Sequence, residues 1–268
     1  MSLPLIFKHG NPGCPCCGQR LIGDGDDGDD DYEDGTSVCA CYPFDDHANN
    51  VVFDGLHLAS TYPSYATGKL DNATKHTGTQ HHEHPHHYCF TPSFGDGLRI
   101  WFWFKVVTAP PTTTNWQGVV TKGRLTSYPT FTGEWGIFWK TTPTSGPSLA
   151  FIHSSSTVTT GVLHTSTIVT GNWYFIHWDI NTATAVSTAS IWNAETDTKL
   201  DIDPAVLAGT LTADPAESMR VGNNTDGDIL GANSGEFLID NLGFTHGASS
   251  AGFLYKLGDG IACPESGG

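Results

Sequence analysis

The chain has 268 residues and a formal net charge of −16, with only 12 lysines and arginines. Its basic residues form no stripe, which excludes nucleic acid and anionic membrane surfaces as partners. No stretch reaches the length of about 18 apolar residues that a membrane span needs, so we expect no membrane insertion. The length suits one large β-sandwich, with a core that does not depend on cross-links.

The first 46 residues differ in composition from the rest. Residues 24–34 carry eight acidic side chains. Five of the seven cysteines lie in the same region: Cys14, Cys16, Cys17, Cys39 and Cys41. We predict a loop-rich, Cys/Asp-rich arm over residues 1–46, ordered by sulfur chemistry, ions or a partner. The cysteines form either a disulfide knot between residues 14–17 and 39–41 or a thiolate Zn²⁺ site, and the extracellular style of the remaining sequence favours disulfides.

The start of the chain shows no recognisable signal peptide. The apolar run LPLIF is broken by Pro4, is followed by Lys8, and is too short for the core of a signal peptide. The extracellular style of the sequence nevertheless predicts an extracellular or virion-surface location, so that either a signal was removed or the protein leaves its cell by another route, such as lysis with a phage particle.

Strand patterns begin near residue 50. VVFDGLHLAS predicts a first strand with a turn at Asp54 and Gly55. Residues 60–88 are polar, contain HHEHPHHYC, and are too long for a hairpin loop. We predict that they form a His-rich insertion.

The run LRIWFWFKVV is apolar on both alternating faces. Trp101 and Trp103 share one face, and Phe102 and Phe104 share the other. This pattern predicts a central strand that is covered on both sides.

Short β-rich runs fill most of the remaining sequence, with Gly, Pro, Ser, Thr and Asn between them. Only PAVLAG, near residue 206, favours a helical turn. The spacing of the runs indicates an all-β, antiparallel two-sheet sandwich over residues 47–268.

The order of these runs resembles the laminin-G-like and concanavalin A-like lectin/glucanase superfamily over roughly residues 47–260. FDG, GLRIWFWFK, VVTKG, EWGIFWK and SLAFIHS resemble its early strands, and GNWYFIHWDI looks like the strand that it opens with Gly-x-Trp. MRVGNN and GEFLIDNLGFTHG are similar to its closing pattern. The resemblance implies a jelly-roll sandwich. Residues 1–46 and the His-rich insertion have no counterpart in the family.

The same superfamily contains laminarinase-type glycoside hydrolases, whose active strand carries Glu-x-Asp-x-x-Glu. This sequence has no such strand. Retaining hydrolysis needs two carboxyl groups about 5 Å apart. We therefore expect no catalytic residues and no enzymatic activity.

Asp240 lies within the apolar run FLIDNLGF and needs a partner if it is buried. In the resembled family this position commonly holds a structural calcium against carbonyls of the first strand. The resemblance therefore implies a Ca²⁺ site at Asp240, Asp54 and Gly55. The alternative is that Asp240 accepts hydrogen bonds from backbone amides at a sheet edge.

NNTDGD supplies a second candidate calcium site at the rim of the sandwich, formed by Asn224, Asp226 and Asp228. The alternative is an ordinary turn, because Asn, Asp and Gly favour turns for steric reasons alone.

The His-rich run offers His82, His84 and His86 at alternating positions. They predict a site for Zn²⁺ or another transition metal, or else a solvated or interface loop.

Four tryptophans offer flat faces for sugar stacking or belong to the core, which is the more common place for an aromatic ring in a β-sandwich. They are Trp116, Trp135, Trp139 and Trp192.

These features together predict a non-enzymatic structural or adhesive module on a large extracellular assembly, such as a phage virion or a surface filament. Calcium stabilises the module in this interpretation, and its partners are its own copies, other subunits and surface glycans. The alternative is a soluble calcium-dependent glycan-binding lectin. A glycoside hydrolase with carboxylates that the sequence does not reveal comes third.

Overall fold

The structure is a computed structural model. It describes residues 6–9, 19–22, 37–45, 48, 56–61, 63–70, 72–77, 80–92, 97–109, 116–127, 130–142, 146–154, 159–163, 168–206, 214–222 and 235–246. These residues are mostly β-strand, with a short 3₁₀ turn at Tyr88–Phe90. No helix among them is long and apolar enough to cross a membrane.

The strands are named in chain order. They are β1 (Ile6–His9), β2 (Gln19–Ile22), β3 (Ser37–Tyr42), β4 (Ala59–Thr61), β5 (Tyr65–Thr67), β6 (Asn72–Thr77), β7 (His81–His84), β8 (Gly97–Thr108), β9 (Gln117–Ser127), β10 (Thr130–Thr142), β11 (Gly146–Ser154), β12 (Thr159–Leu163), β13 (Trp173–Asn181), β14 (Val186–Asn193), β15 (Thr198–Val206), β16 (Met219–Gly222) and β17 (Glu236–His246).

These strands form two antiparallel sheets. The ten-stranded sheet has the order β1-β2-β3-β17-β8-β13-β14-β15, and it also contains β6, which pairs with β17, and β5, which pairs with β6. The seven-stranded sheet has the order β12-β11-β10-β9-β16-β7-β4. The prediction of an all-β, two-sheet sandwich is confirmed, whereas the jelly-roll order stays a prediction.

The core between the two sheets is rich in aromatic rings. Phe104 of β8 meets Trp139 of β10 with 6.2 Å between ring centroids. Trp178 of β13 meets Phe151 of β11 at 5.6 Å. Both pairs are edge-to-face, a geometry that adds about 0.5–1.5 kcal/mol to what area burial alone provides. β8 is buried on both faces along most of its length, as its sequence predicts.

The predicted arm is partly built into the sandwich. β1, β2 and β3 continue the ten-stranded sheet, and Tyr42 of β3 lies opposite Leu242 of β17. Tyr42 and Phe44 are fully buried, and the Tyr42 hydroxyl donates a hydrogen bond to the Leu56 carbonyl at 2.8 Å. Cys39, Ala40, Tyr42 and Phe44 thus belong to the main core of the sandwich.

The segment predicted as a His-rich insertion also contributes to the sandwich. β5 and β6 lie in the ten-stranded sheet, while β4 and β7 lie in the seven-stranded sheet. Residues 60–88 therefore pass from one sheet to the other, and His76 and His82 point into buried positions. The segment is structural rather than an appended loop.

A disulfide joins Cys39 of β3 to Cys89 of the 3₁₀ turn, with Cα atoms 5.5 Å apart. The pairing predicted between Cys39 and residues 14–17 is therefore wrong, because the fold places β3 beside the turn. Cys41 is disulfide-bonded as well. A disulfide sulfur is not a thiolate, so the Zn²⁺ alternative is wrong for these two residues. Cys14, Cys16 and Cys17 lie outside the described residues.

We expect the double variant Cys39→Ala/Cys89→Ala to lose about 2–4 kcal/mol of unfolding free energy, because the cross-link closes a long loop in the unfolded chain. Chemical denaturation under non-reducing conditions measures this loss. The single variant Val169→Ala, at an exposed side chain, is the control. A double variant as stable as the control would contradict the prediction.

Candidate functional site

Asp240 is fully buried at the point where β17 changes neighbours. Residues before it pair with β6, and residues from Leu242 onward pair with β3. In this gap, Asp240 Oδ2 accepts hydrogen bonds from the backbone N–H groups of Lys69 (2.7 Å) and Leu70 (3.0 Å). Asp240 Oδ1 accepts one from the Asn241 side-chain amide. The sequence analysis gave hydrogen bonds from backbone amides as the alternative to calcium at Asp240, and the contacts with Lys69 and Leu70 are of this kind.

The turn that faces Asp240 requires a glycine. A Cβ on Gly68 would lie 2.6 Å from Asp240 Oδ2 and 2.7 Å from the backbone of Asn72. Burial, together with the nearby charge of Asp45, raises the pKa of Asp240 to about 6, although its three hydrogen bonds oppose the rise. Asp54 and Gly55, the predicted co-ligands, lie outside the described residues, and so do Asn224, Asp226 and Asp228. Calcium at these positions stays a prediction.

His82 is held between two hydroxyl groups. Its Nδ1 lies 2.6 Å from Ser60 Oγ, and its Nε2 lies 2.6 Å from Thr74 Oγ1. A neutral imidazole donates at one nitrogen and accepts at the other, which suits this arrangement. Burial and the charge of His81 lower the pKa of His82 to about 4. Both ring nitrogens thus lie within hydrogen-bond distance of hydroxyl groups.

His84 and His86 have other neighbours than His82, and a transition metal at these three residues stays a prediction. His84 Nδ1 lies 2.7 Å from the Pro85 carbonyl oxygen. His86 lies past the end of β7, close enough to Lys122 and Asp214 for both to affect its pKa, which burial lowers. Among the described residues, no three His, Cys, Asp or Glu side chains converge as metal ligands.

A buried charged cluster, which the sequence analysis did not identify, lies next to His86. Lys122 of β9 is 0% exposed and Glu134 of β10 is 3% exposed, and Lys122 Nζ donates to Glu134 Oε1. Lys122 Nζ also donates to the Asp214 carbonyl at 3.0 Å, and the Asp214 backbone N–H donates to Glu134 Oε1 at 2.7 Å. Burial raises the pKa of Glu134, and the Lys122 contact partly opposes the rise.

The outer surface of the ten-stranded sheet carries a second aromatic cluster, which we call the outer aromatic face. It consists of Trp101 and Trp103 on β8, Trp173 and Phe175 on β13, and Trp192 on β14. The Trp101 indole lies flat on the sheet over Gly243. A Cβ at this position would be only 1.9 Å from the Cζ2 atom of the ring. Lys69 and Lys105 sit over Trp103 and Trp173, at 5.2 and 5.5 Å from the ring centroids.

Trp192 is the half-buried member of the outer aromatic face, whereas the other four rings are buried. It lies opposite Phe175 on one side and Lys199 on the other. Ser190 and Thr188 share its face of β14 and are also half-buried. An aromatic ring beside hydroxyl groups can stack on a sugar and hydrogen-bond to it.

An ion pair continues the same surface beyond Trp101. Arg99 of β8 lies opposite Asp179 of β13, with 3.5 Å between Arg99 Nε and Asp179 Oδ1. Arg99 is 2% exposed and Asp179 is 21% exposed. Arg99 and Asp179 are charged residues within largely apolar strands, and this is the feature of the sequence by which they could have been identified.

The remaining tryptophans singled out from the sequence are buried. Trp135 and Trp139 are in the main core, and the Trp135 indole N–H donates to the Phe90 carbonyl at 2.7 Å. Trp116 lies in a cluster with Phe131 on the outer side of the seven-stranded sheet, under Lys140. These three rings fit the core interpretation, which leaves Trp192 as the candidate for sugar stacking.

No protein-family model matches the chain, and no curated protein sequence matches it. Its fold is similar to that of domain 4 of AbnA, a GH43 extracellular arabinanase from Geobacillus stearothermophilus, solved in complex with arabinotriose. That match has a TM-score of 0.58 and 16% identity, and it covers 83% of this chain and 98% of that one.

Two further structures are similar over most of this chain. The binding domain of botulinum neurotoxin serotype D has a TM-score of 0.57 and 9% identity, covering 82% of this chain and 50% of that one. Protein SO2946 of Shewanella oneidensis MR-1, of unknown function, has a TM-score of 0.51 and 14% identity, with coverages of 80% and 87%. These likenesses show a β-sandwich fold.

We expect Asp240→Ala to lower the unfolding free energy by about 2–4 kcal/mol, because three N–H donors, of which the Asn241 amide is buried, lose their acceptor. The loss should be the same in a chelator and in calcium, and thermal or denaturant unfolding in both buffers measures it. A loss that appears only with calcium would instead support the predicted Ca²⁺ site.

Acid should destabilise the protein through His76. Its ring stacks on Phe237 at 5.2 Å, and burial lowers its pKa from 6.5 to about 3. Because the folded pKa lies below the unfolded value, the stabilisation is complete above pH 6.5 and is lost as the pH falls towards 3. At pH 5 the loss is about 2 kcal/mol relative to neutral pH.

We expect His76→Phe to keep the ring contact and remove this contribution. Its unfolding free energy should fall less than that of the unmodified chain between pH 7 and pH 5, as measured by denaturant titration at each pH. Equal slopes for the two proteins would contradict this account of His76.

Proposed function

We propose that the protein is a non-enzymatic, glycan-binding adhesive module that binds sugars on the outer aromatic face, around Trp192. The observation that carries the proposal is the half-buried Trp192 ring, set among aromatic neighbours and beside the hydroxyl groups of Ser190 and Thr188. The ring supplies a flat apolar surface for the C–H face of a sugar. The hydroxyl groups supply donors and acceptors for the sugar's own hydroxyls.

The comparisons support a binding role. The sandwich covers 98% of the arabinanase domain that was solved with arabinotriose, so the likeness extends over a whole sugar-bound domain. By contrast, the chain corresponds to half of the botulinum neurotoxin D binding domain. Fold alone does not determine ligand, which is why the proposal rests on Trp192 and its neighbours.

The contacts of the described glutamates support a non-enzymatic role. Glu83 pairs with Arg220 at 3.0 Å, and Glu236 pairs with Lys75 at 3.0 Å. Glu236 and Asp240 are four residues apart on β17, but Asp240 is fully buried and bonded to the turn that precedes β6. A retaining pair needs two carboxyl groups that face one substrate, about 5 Å apart.

We further propose that the sandwich is laminin-G-like and that calcium stabilises it. It would be displayed on a virion or a surface filament. The Cys39–Cys89 disulfide supports an extracellular location, since disulfides persist in oxidising surroundings. β1 and β2 lie at one end of the ten-stranded sheet. An end of a sheet is a place where copies or other subunits can add strands.

A glycan array followed by calorimetry with the best ligand tests the binding proposal. The probes are arabino-oligosaccharides, galactans, β-glucans and bacterial surface polysaccharides. We expect Trp192→Ala to weaken binding about tenfold, which corresponds to about 1.4 kcal/mol, while Val169→Ala binds normally. Binding to no glycan, or equal affinity in the Trp192→Ala variant, would overturn the proposal.

The same polysaccharides test the absence of catalysis. We expect no release of reducing ends above a heat-denatured sample after prolonged incubation. Release that a single glutamate or aspartate substitution abolishes would show that the protein is a glycoside hydrolase.

A further inference from the structure

Lys122 and Glu134 bring an amine and a carboxyl group together in a site without solvent. They lie on adjacent strands, β9 and β10, and their side chains are 0% and 3% exposed. The register between the two strands shifts from Gly133 to Trp135, which leaves Glu134 in a bulge beside Lys122. Bulges commonly redirect a side chain in this way.

The backbone of Asp214 holds both groups. Its carbonyl oxygen accepts a hydrogen bond from Lys122 Nζ at 3.0 Å, and its N–H donates to Glu134 Oε1 at 2.7 Å. Glu134 Oε2 is buried and has no hydrogen-bond partner. Lys122 Nζ is therefore held in place, and Glu134 Oε1 is polarised by the Asp214 N–H. Glu134 Oε2 is left without a hydrogen bond.

We propose that Lys122 and Glu134 form an intramolecular isopeptide bond. Lys122 Nζ attacks Glu134 Cδ, and negative charge develops on Oε1, towards which the Asp214 N–H already points. The Nζ–Cδ bond forms and the Cδ–Oε2 bond breaks. Of the three ammonium hydrogens, one stays on the amide nitrogen and two leave with Oε2 as water. The reaction needs no oxidant, reductant or cofactor.

The surroundings favour this condensation over a lasting ion pair. The buried hydrogen bond from Lys122 Nζ to Glu134 Oε1 is the path along which a proton can pass to give the neutral amine and the neutral acid that react. In this site burial raises the pKa of Glu134, although Lys122 and the Asp214 N–H oppose the rise. Two groups held in contact react as if they were highly concentrated. The product is a neutral amide, which removes the desolvation penalty of two buried charges.

Two titratable neighbours, Asp214 and His86, lie close enough to the pair to interact with it electrostatically. The Asp214 charge acts on Glu134, and His86 is affected by both Lys122 and Asp214. Burial and the charge of Lys122 lower the pKa of His86, while Asp214 opposes the change. This inference is independent of glycan binding, because it concerns the seven-stranded sheet.

Mass spectrometry of the full chain, reduced and denatured, tests the proposal. We expect a mass that is lower by one water than the sequence requires. Trypsin should fail to cleave after Lys122, so that residues 106–124 and 125–140 appear as one branched peptide, with fragment ions that locate the link at Lys122 and Glu134. A full mass, with residues 106–122 and 125–140 as separate linear peptides, would show an ordinary ion pair and overturn the proposal.

Two lysine variants separate this bond from other losses of water. Lys122→Arg keeps the charge but has no primary amine, so we expect its full mass. Lys140→Arg, on the neighbouring strand, should keep the mass deficit. A deficit in Lys122→Arg would mean that the water leaves elsewhere, for example at an Asp-Gly succinimide, and would overturn the proposal. If Lys122→Arg does not fold, the peptide map of the unmodified chain decides by itself.

Discussion

The pairing of β17 with three other strands is the interaction on which the rest of the sandwich depends. One edge of β17 bonds to β8, while the other bonds first to β6 and then to β3. The backbone shifts register in between, and Asn241 adopts a positive φ of 49° there. Asp240 fills the resulting gap with its carboxylate, which accepts the N–H groups of the turn before β6. An apolar side chain at this position would leave those donors unpaired in the interior.

Much of the fold could be predicted from periodicity, while the site could be predicted only in part. The apolar residues on both alternating faces of β8 predicted its central position in the sheet. They also predicted the two faces that its tryptophans and phenylalanines occupy. β3 was missed because Cys39 and Cys41 stand where a strand usually has larger apolar residues, so SVCACY reads as a metal or disulfide motif. PAVLAG favours a helical turn, yet β15 continues to Val206 because pairing with β14 overrides local preference.

The site residues show where sequence spacing stops being informative. His82 and His84 are spaced as alternating metal ligands on a strand would be, but the fold gives them other partners. His82 lies beside the Ser60 hydroxyl, and His84 lies beside the Pro85 carbonyl. Lys122 and Glu134 are 12 residues apart in sequence, and nothing in VVTKG or GEWG indicates that they meet. A buried bulge and the backbone of Asp214 bring them together, and both depend on tertiary structure.

The position of β3 beside β17 also determines when the chain can finish folding during synthesis. Tyr42 emerges from the ribosome long before its partner Leu242. Until then the buried edge of β3 has no strand to pair with, and β8 lacks one of its two neighbours. Such long-range pairing slows folding and exposes unpaired edges for longer. A translating ribosome thus carries an unfinished, aromatic-rich sheet. A chaperone that shields β-strand edges would bind such a nascent chain.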